Sequence, residues 1–298
     1  MKGSRLLEIL EGITLVEFKR FGDFVKSPYH NKNKNLISLY ELLSKFSPYF
    51  DNHELTREGI SKFIYPRENY REQKVDLLVS DFKNLLEDFL IFEEGSKNKI
   101  QQKNLLLRAF RERNIVKNFE YTLNEIMKCQ KDEFSRTSEY YHNQSMLEYE
   151  SCISKLNSLM YSKNKSFQKL TDNIDLFYIS FKLFVFVLVY HHIKETKLDI
   201  NYNLWLKNEI ISHIENNIDS IKKEHPLIYS YYLILMILIK PGNEKYFEDL
   251  KNYIKTNRQK LSPDFLKEIY LEMKNYCDTK ISINRNKYTN EMFNIYRT

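Results

Sequence analysis

Residues 174–192, IDLFYISFKLFVFVLVYHH, form the most apolar stretch of an otherwise polar chain. A second, shorter apolar run follows at 227–239. A chain built this way must either pass the first run through a bilayer or cover it with its own helices. As a helix, residues 176–190 reach about 22 Å at ~1.5 Å per residue, short of a hydrocarbon core of roughly 30 Å. Lys182 stands near the middle of the run, where a charge costs on the order of 3 kcal/mol to insert. No membrane span is expected. At ~100° per residue, Thr171, Asp175, Tyr178 and Lys182 fall on one narrow stripe, and apolar residues fill the remainder. The expectation is a helix covered on most sides, the packing centre of the protein, with that stripe alone reaching solvent or a partner. Its flanks carry helical periodicity, and the run is too long for a typical strand.

Glycine and proline support a helical reading throughout. Six of each in 298 residues are too few for the tight turns and Gly-rich phosphate loops of an α/β enzyme. The 22 tyrosines and 20 phenylalanines supply material for helix–helix packing. Net charge is +6, from 46 basic and 40 acidic residues. It balances to zero over residues 1–100 and shows no block of like charge, unlike the patch or stripe of a nucleic-acid binder. The three cysteines, Cys129, Cys152 and Cys277, are isolated and odd in number, which gives neither a disulfide framework nor a zinc pattern. The opening MKGSRLLEILEG is interrupted by Glu8 and Glu11 and lacks the apolar core of a secretory signal. A reducing, cytoplasmic location is expected.

In chain order, Thr14 and Glu17 make a capping box. They precede a helix with Leu15, Phe18, Phe21, Phe24 and Val25 on one face, stopped at Ser27-Pro28. Leu36, Leu39, Tyr40, Leu43 and Phe46 mark a second helix, residues 56–64 a third, and residues 70–94 a long fourth, with Gly95 as its C-terminal cap. Residues 1–97 are therefore expected to form an N-terminal helical bundle. Short helices followed by a long one are also the order of a helix-turn-helix or winged-helix module. From residue 98 to 298 the pattern becomes a succession of amphipathic helices. Residues 105–113 end at Asn114, expected to cap a helix over 115–134. The next helix carries Tyr141, Met146, Tyr149, Ile153, Leu156 and Met160. A polar link at 162–166 leads into the central run, and residues 204–218 follow it. Pro226 and Pro263 each open a helix at its first position, 37 residues apart, with an amphipathic helix at 246–254 between them. A helix–turn–helix unit recurring near this period marks a helical-hairpin array. No capping helix follows 284–298, as expected of an array cut short at its C-terminal end.

NIDLFYISFKLFVFVLVYHH, EHPLIYSYYLILMIL, LSPDFLKEIYLEMKNYC and the N-terminal FGDFVKSPYHNKNKNLISLYELL resemble an uncharacterised group of bacterial tetratricopeptide-like (TPR-like) helical repeat proteins. The usual tetratricopeptide pattern of Trp, Leu-Gly, Tyr and Ala is not met. The resemblance implies an all-α helical-hairpin array and a binding role, and brings no catalytic residues with it.

Few residues point to chemistry. His191 and His192 are adjacent and point about 100° apart, unlike metal ligands on one helix face; placement near a helix C-terminus accounts for them. Asp172 and Asp175 are expected to favour a helix N-terminus. Arg108, Arg111 and Arg113 form a small basic cluster around Glu112, read as a solvated face, with phosphate or RNA contact as its functional alternative. Cys129 and Cys152 read as small core hydrophobes. No phosphate loop, G-x-S-x-G or C-x-x-C is present. The expected function is a non-enzymatic protein–protein interaction scaffold without cofactor or metal, its partner another protein and its contact residues unassigned. Nucleic-acid binding through the N-terminal module or a basic face is the alternative.

Overall fold

Helix starts in this protein are set by local chemistry. In the computed structural model, which describes residues 4–50, 55–131, 136–155, 166–196 and 201–296, the Thr14 hydroxyl accepts from the Glu17 amide at 3.2 Å. The Glu17 carboxylate in turn accepts from the Thr14 amide at 2.8 Å, closing the expected capping box. The fold is all-α: fifteen α-helices and no strand occur among the described residues. The chain divides into two compact units, Met1–Gln102 and Lys103–Thr298.

The first unit holds α1 (Arg5–Gly12), α2 (Leu15–Lys26), α3 (Lys34–Ser44), α4 (Arg57–Ile64) and α5 (Glu72–Lys97). Helix α1 is an addition to the four expected. Ser4 caps it, and Leu6, Leu7 and Leu10 are buried against the bundle. The other four helices pack around α5. Phe21 lies at the centre, its ring 5.3 Å from Phe82 and 5.4 Å from Phe89. Gly22 is where α2 and α3 approach closely, since a Cβ there would fall on the Tyr40 ring. Two local readings change. Leu15 is exposed, because the first turn of α2 projects past the core. Gly95 lies inside α5, which runs on to Lys97.

The second unit continues through α6 (Lys99–Glu112), in which the division between units falls, then α7 (Val116–Lys131), α8 (Ser138–Lys155) and α9 (Ser166–Thr196). It ends with α10 (Lys207–Asn216), α11 (Ile218–Glu224), α12 (Pro226–Ile239), α13 (Lys245–Asn257), α14 (Pro263–Lys280) and α15 (Arg285–Tyr296). Asn114 belongs to the helix before it. At φ 55° it ends α6, with Ile115 N donating to Phe110 O at 2.9 Å and Asn114 N to Arg111 O at 3.1 Å. This is the pair of bonds made when a left-handed residue closes a helix, a place that Asn tolerates. Pro226 and Pro263 do open helices, and Ser262 caps α14. Phe134, Leu156, Met160, the link at 162–165 and the Cys129 side chain lie outside the described residues.

Sequential helices pair in α8–α9, α12–α13 and α14–α15, and α12 also packs on α9 and α14. Consequently α12 is the covered helix: every residue from Pro226 to Ile237 is buried. Only Ser180, Leu183, Phe186 and Val187 are buried in α9. The expected packing centre is therefore corrected from α9 to α12. Hydropathy reports how apolar a segment is, whereas coverage depends on how many neighbours reach it, and α12 has helices on more sides.

Candidate partner-binding face on helix α9

Helix α9 runs for 31 residues, the longest among those described. By length and composition it could cross a bilayer, a test that the core helix of a soluble protein also passes. Its inner arc, Leu183, Phe186 and Val187, joins the core built around α12, and the Phe184 ring lies 5.9 Å from that of Tyr231. Its outer arc carries Ile174, Tyr178, Phe181 and Leu188, which are 48%, 41%, 48% and 50% exposed, with half-buried Val185 among them. Only 22% of the most apolar 18-residue window is buried. The expected solvent stripe of Thr171, Asp175, Tyr178 and Lys182 is thus one edge of a wider open face that is mainly apolar. Lys182 is half-buried, its ammonium 5.1 Å from the centre of the Phe186 ring and 5.9 Å from that of Tyr178. A contiguous apolar face of this size marks an interaction surface.

Helix α8 lies alongside α9 with an inner face unlike the one expected. Met146 and Tyr149 are exposed, while Tyr141, Leu147 and Cys152 are buried together with Asn143, Ser145, Glu148, Glu150 and Ser151. Buried carboxylates need partners. Glu150, with its side chain 5% exposed, is held by Arg111 at 2.6 Å. Glu148 is 4.0 Å from the Lys169 ammonium. No hydropathy pattern announces this polar face, and only the alternation of Glu, Ser and Asn in α8 hints at it.

The other candidate residues are dispersed. Arg108 pairs with Glu112 at 2.9 Å and Arg113 donates to Ala109 O at 3.1 Å, so the three arginines do not converge. Asp172 and Asp175 lie in the second and third turns of α9, too far in to interact strongly with its N-terminus. Asp172 accepts from Gln168 at 2.8 Å. His191 precedes the last turn of α9, and its Nε2 stands 2.8 Å from Glu272 Oε1 on α14, off the line of a full hydrogen bond. Contact with this carboxylate holds the imidazole above its ordinary pKa, against the opposing effect of burial. A cross-helix ion pair thus accounts for His191 in place of the helix terminus. On α14, burial raises the carboxyl pKa of Glu268, which accepts from the Tyr231 hydroxyl at 3.2 Å. His192 is exposed, its ring edge-on to Tyr202 at 6.0 Å.

Cys152 and Cys277 are buried thiols, and burial pushes the Cys277 thiol up to about 11. Among the described residues no three His, Cys, Asp or Glu side chains could hold a metal ion together. Open depressions of about 600, 560 and 540 Å³ lie beside Pro263 and Tyr270, beside Trp205 and Lys207, and beside Phe110 and Phe119.

No family model, curated protein or solved structure matches the chain. The outer face of α9 therefore stands as the candidate site on its own geometry.

Proposed function

We propose that this chain is a non-enzymatic protein–protein interaction scaffold of TPR-like helical hairpins, cytoplasmic and without cofactor or metal, whose partner docks along the outer face of α9. The observation that carries this reading is that face: four large apolar side chains about half exposed along one side of a single helix. The pairing of α12 with α13 and of α14 with α15, each pair opened by a proline at its first position, supports a hairpin array. On this reading residues 1–97 are an appended helical module and 98–298 the array, with no membrane span. A long helix with an open apolar stripe is suited to an amphipathic helix laid alongside it. The basic cluster offers less to a nucleic acid, since Arg108 and Arg111 are engaged by Glu112 and Glu150. The test is affinity capture from native lysate with the wild-type chain and with Phe181→Glu. A stoichiometric protein retained by the first and lost by the second is expected. Recovery of no stoichiometric protein by a chain that is itself monomeric, or equal recovery by both, overturns the reading.

A further inference from the structure

The outer face of α9 has a period as well as a polarity. Ile174, Tyr178, Phe181, Val185 and Leu188 follow one another at alternating steps of four and three residues. That is the 3.5-residue repeat of a two-helix seam, in which each side chain inserts among four of the facing helix. The exposed parts of these side chains amount to on the order of 350 Å² of apolar surface.

One flank of this seam carries two opposite charges seven residues apart, Asp175 and Lys182. Asp175 is exposed, and Lys182 reaches over the Tyr178 and Phe186 rings. Neither has an ion-pair partner among the described residues. A second α9 laid antiparallel, with a two-fold axis between Tyr178 and Phe181, sets Tyr178 opposite Phe181 of the other copy and Ile174 opposite its Val185. The same operation brings Asp175 beside Lys182 of the other copy, and it does so twice, because a two-fold contact repeats every pair. A parallel copy would instead set Lys182 against Phe177 and Asp175 against Leu170, leaving both charges unanswered. The charge order is therefore complementary to itself in one orientation only.

From this we propose that α9 is the interface of a homodimer in which two copies of this chain pair antiparallel through their Ile174–Leu188 seams. The proposal rests on reading the α9 face as partner-binding and names its occupant.

Sedimentation velocity of the full chain over a concentration series tests it. The expected result is a concentration-dependent species of twice the 36.2 kDa chain mass, lost in Phe181→Glu while the helical circular-dichroism signal is kept. Asp175→Lys and Lys182→Asp alone each weaken dimerisation by about tenfold, and the double exchange restores it. A chain monomeric at every concentration, a dimer indifferent to Phe181→Glu, or a double exchange that fails to restore association overturns the proposal. A monomer that still captures a different protein through Phe181 refutes the second copy and leaves the scaffold reading standing. A monomer that captures nothing refutes both.

Discussion

His225, the residue before α12, places Nδ1 2.8 Å from the Tyr141 hydroxyl, and burial lowers its pKa. Below the ordinary imidazole value of about 6.5 the unfolded chain therefore takes up a proton first, and stability falls with pH from there toward the folded value. His191 behaves oppositely. Its raised pKa beside Glu272 contributes stability that is fully present below about 6.5 and is lost as pH rises through the folded value. Thermal melts between about pH 5 and 8 separate the two: His225→Gln is expected to flatten the acid-side loss, and His191→Gln the loss on the other side. Gly22 gives a second residue-scale prediction. Alanine in a helix is normally worth up to about 1 kcal/mol over glycine, but here its Cβ meets the Tyr40 ring. Gly22→Ala is expected to lower stability by about 1–2 kcal/mol in urea unfolding.

Among the elements, α12 was legible as a helix from Pro226 and its apolar run, but its rank in the core was not. All of its residues from Pro226 to Ile237 are buried, so Ile234→Ala should remove about 2–5 kcal/mol, measured by chemical denaturation. Helix starts were readable because they are local: the capping box of Thr14 with Glu17, and proline at the first position of α12 and of α14. Asn114 and Gly95 were misplaced for a related reason. Both residue types suit helix ends, and which helix they end, or whether they end one, is decided by packing further along. The polar inner face of α8 was hidden because Glu150 is matched by Arg111, 39 residues away. The α9 seam was half legible. Its apolar content and its Asp175–Lys182 edge could be read directly, whereas the side left uncovered depends on which helices pack against it.

For the whole molecule, the two units differ in how they gather their cores. The first draws its buried residues, from Leu6 to Phe89, entirely from within Met1–Gln102. A fragment of residues 1–102 is accordingly expected to unfold in one cooperative thermal transition followed by circular dichroism. The second is organised around α12 and leaves one side of its longest helix open. Two phenylalanines on α9 measure that asymmetry most directly, because Phe181 is 48% exposed and Phe186 only 1%. Thermal unfolding of Phe181→Glu and Phe186→Glu, compared at one concentration under conditions where the wild type is monomeric, is the deciding experiment. An open outer face and a core around α12 predict a midpoint for Phe181→Glu within a few degrees of wild type. They predict loss of the cooperative transition for Phe186→Glu, which replaces a ring packed in the core by a carboxylate. Equal losses in the two variants, or the greater loss in Phe181→Glu, would contradict it.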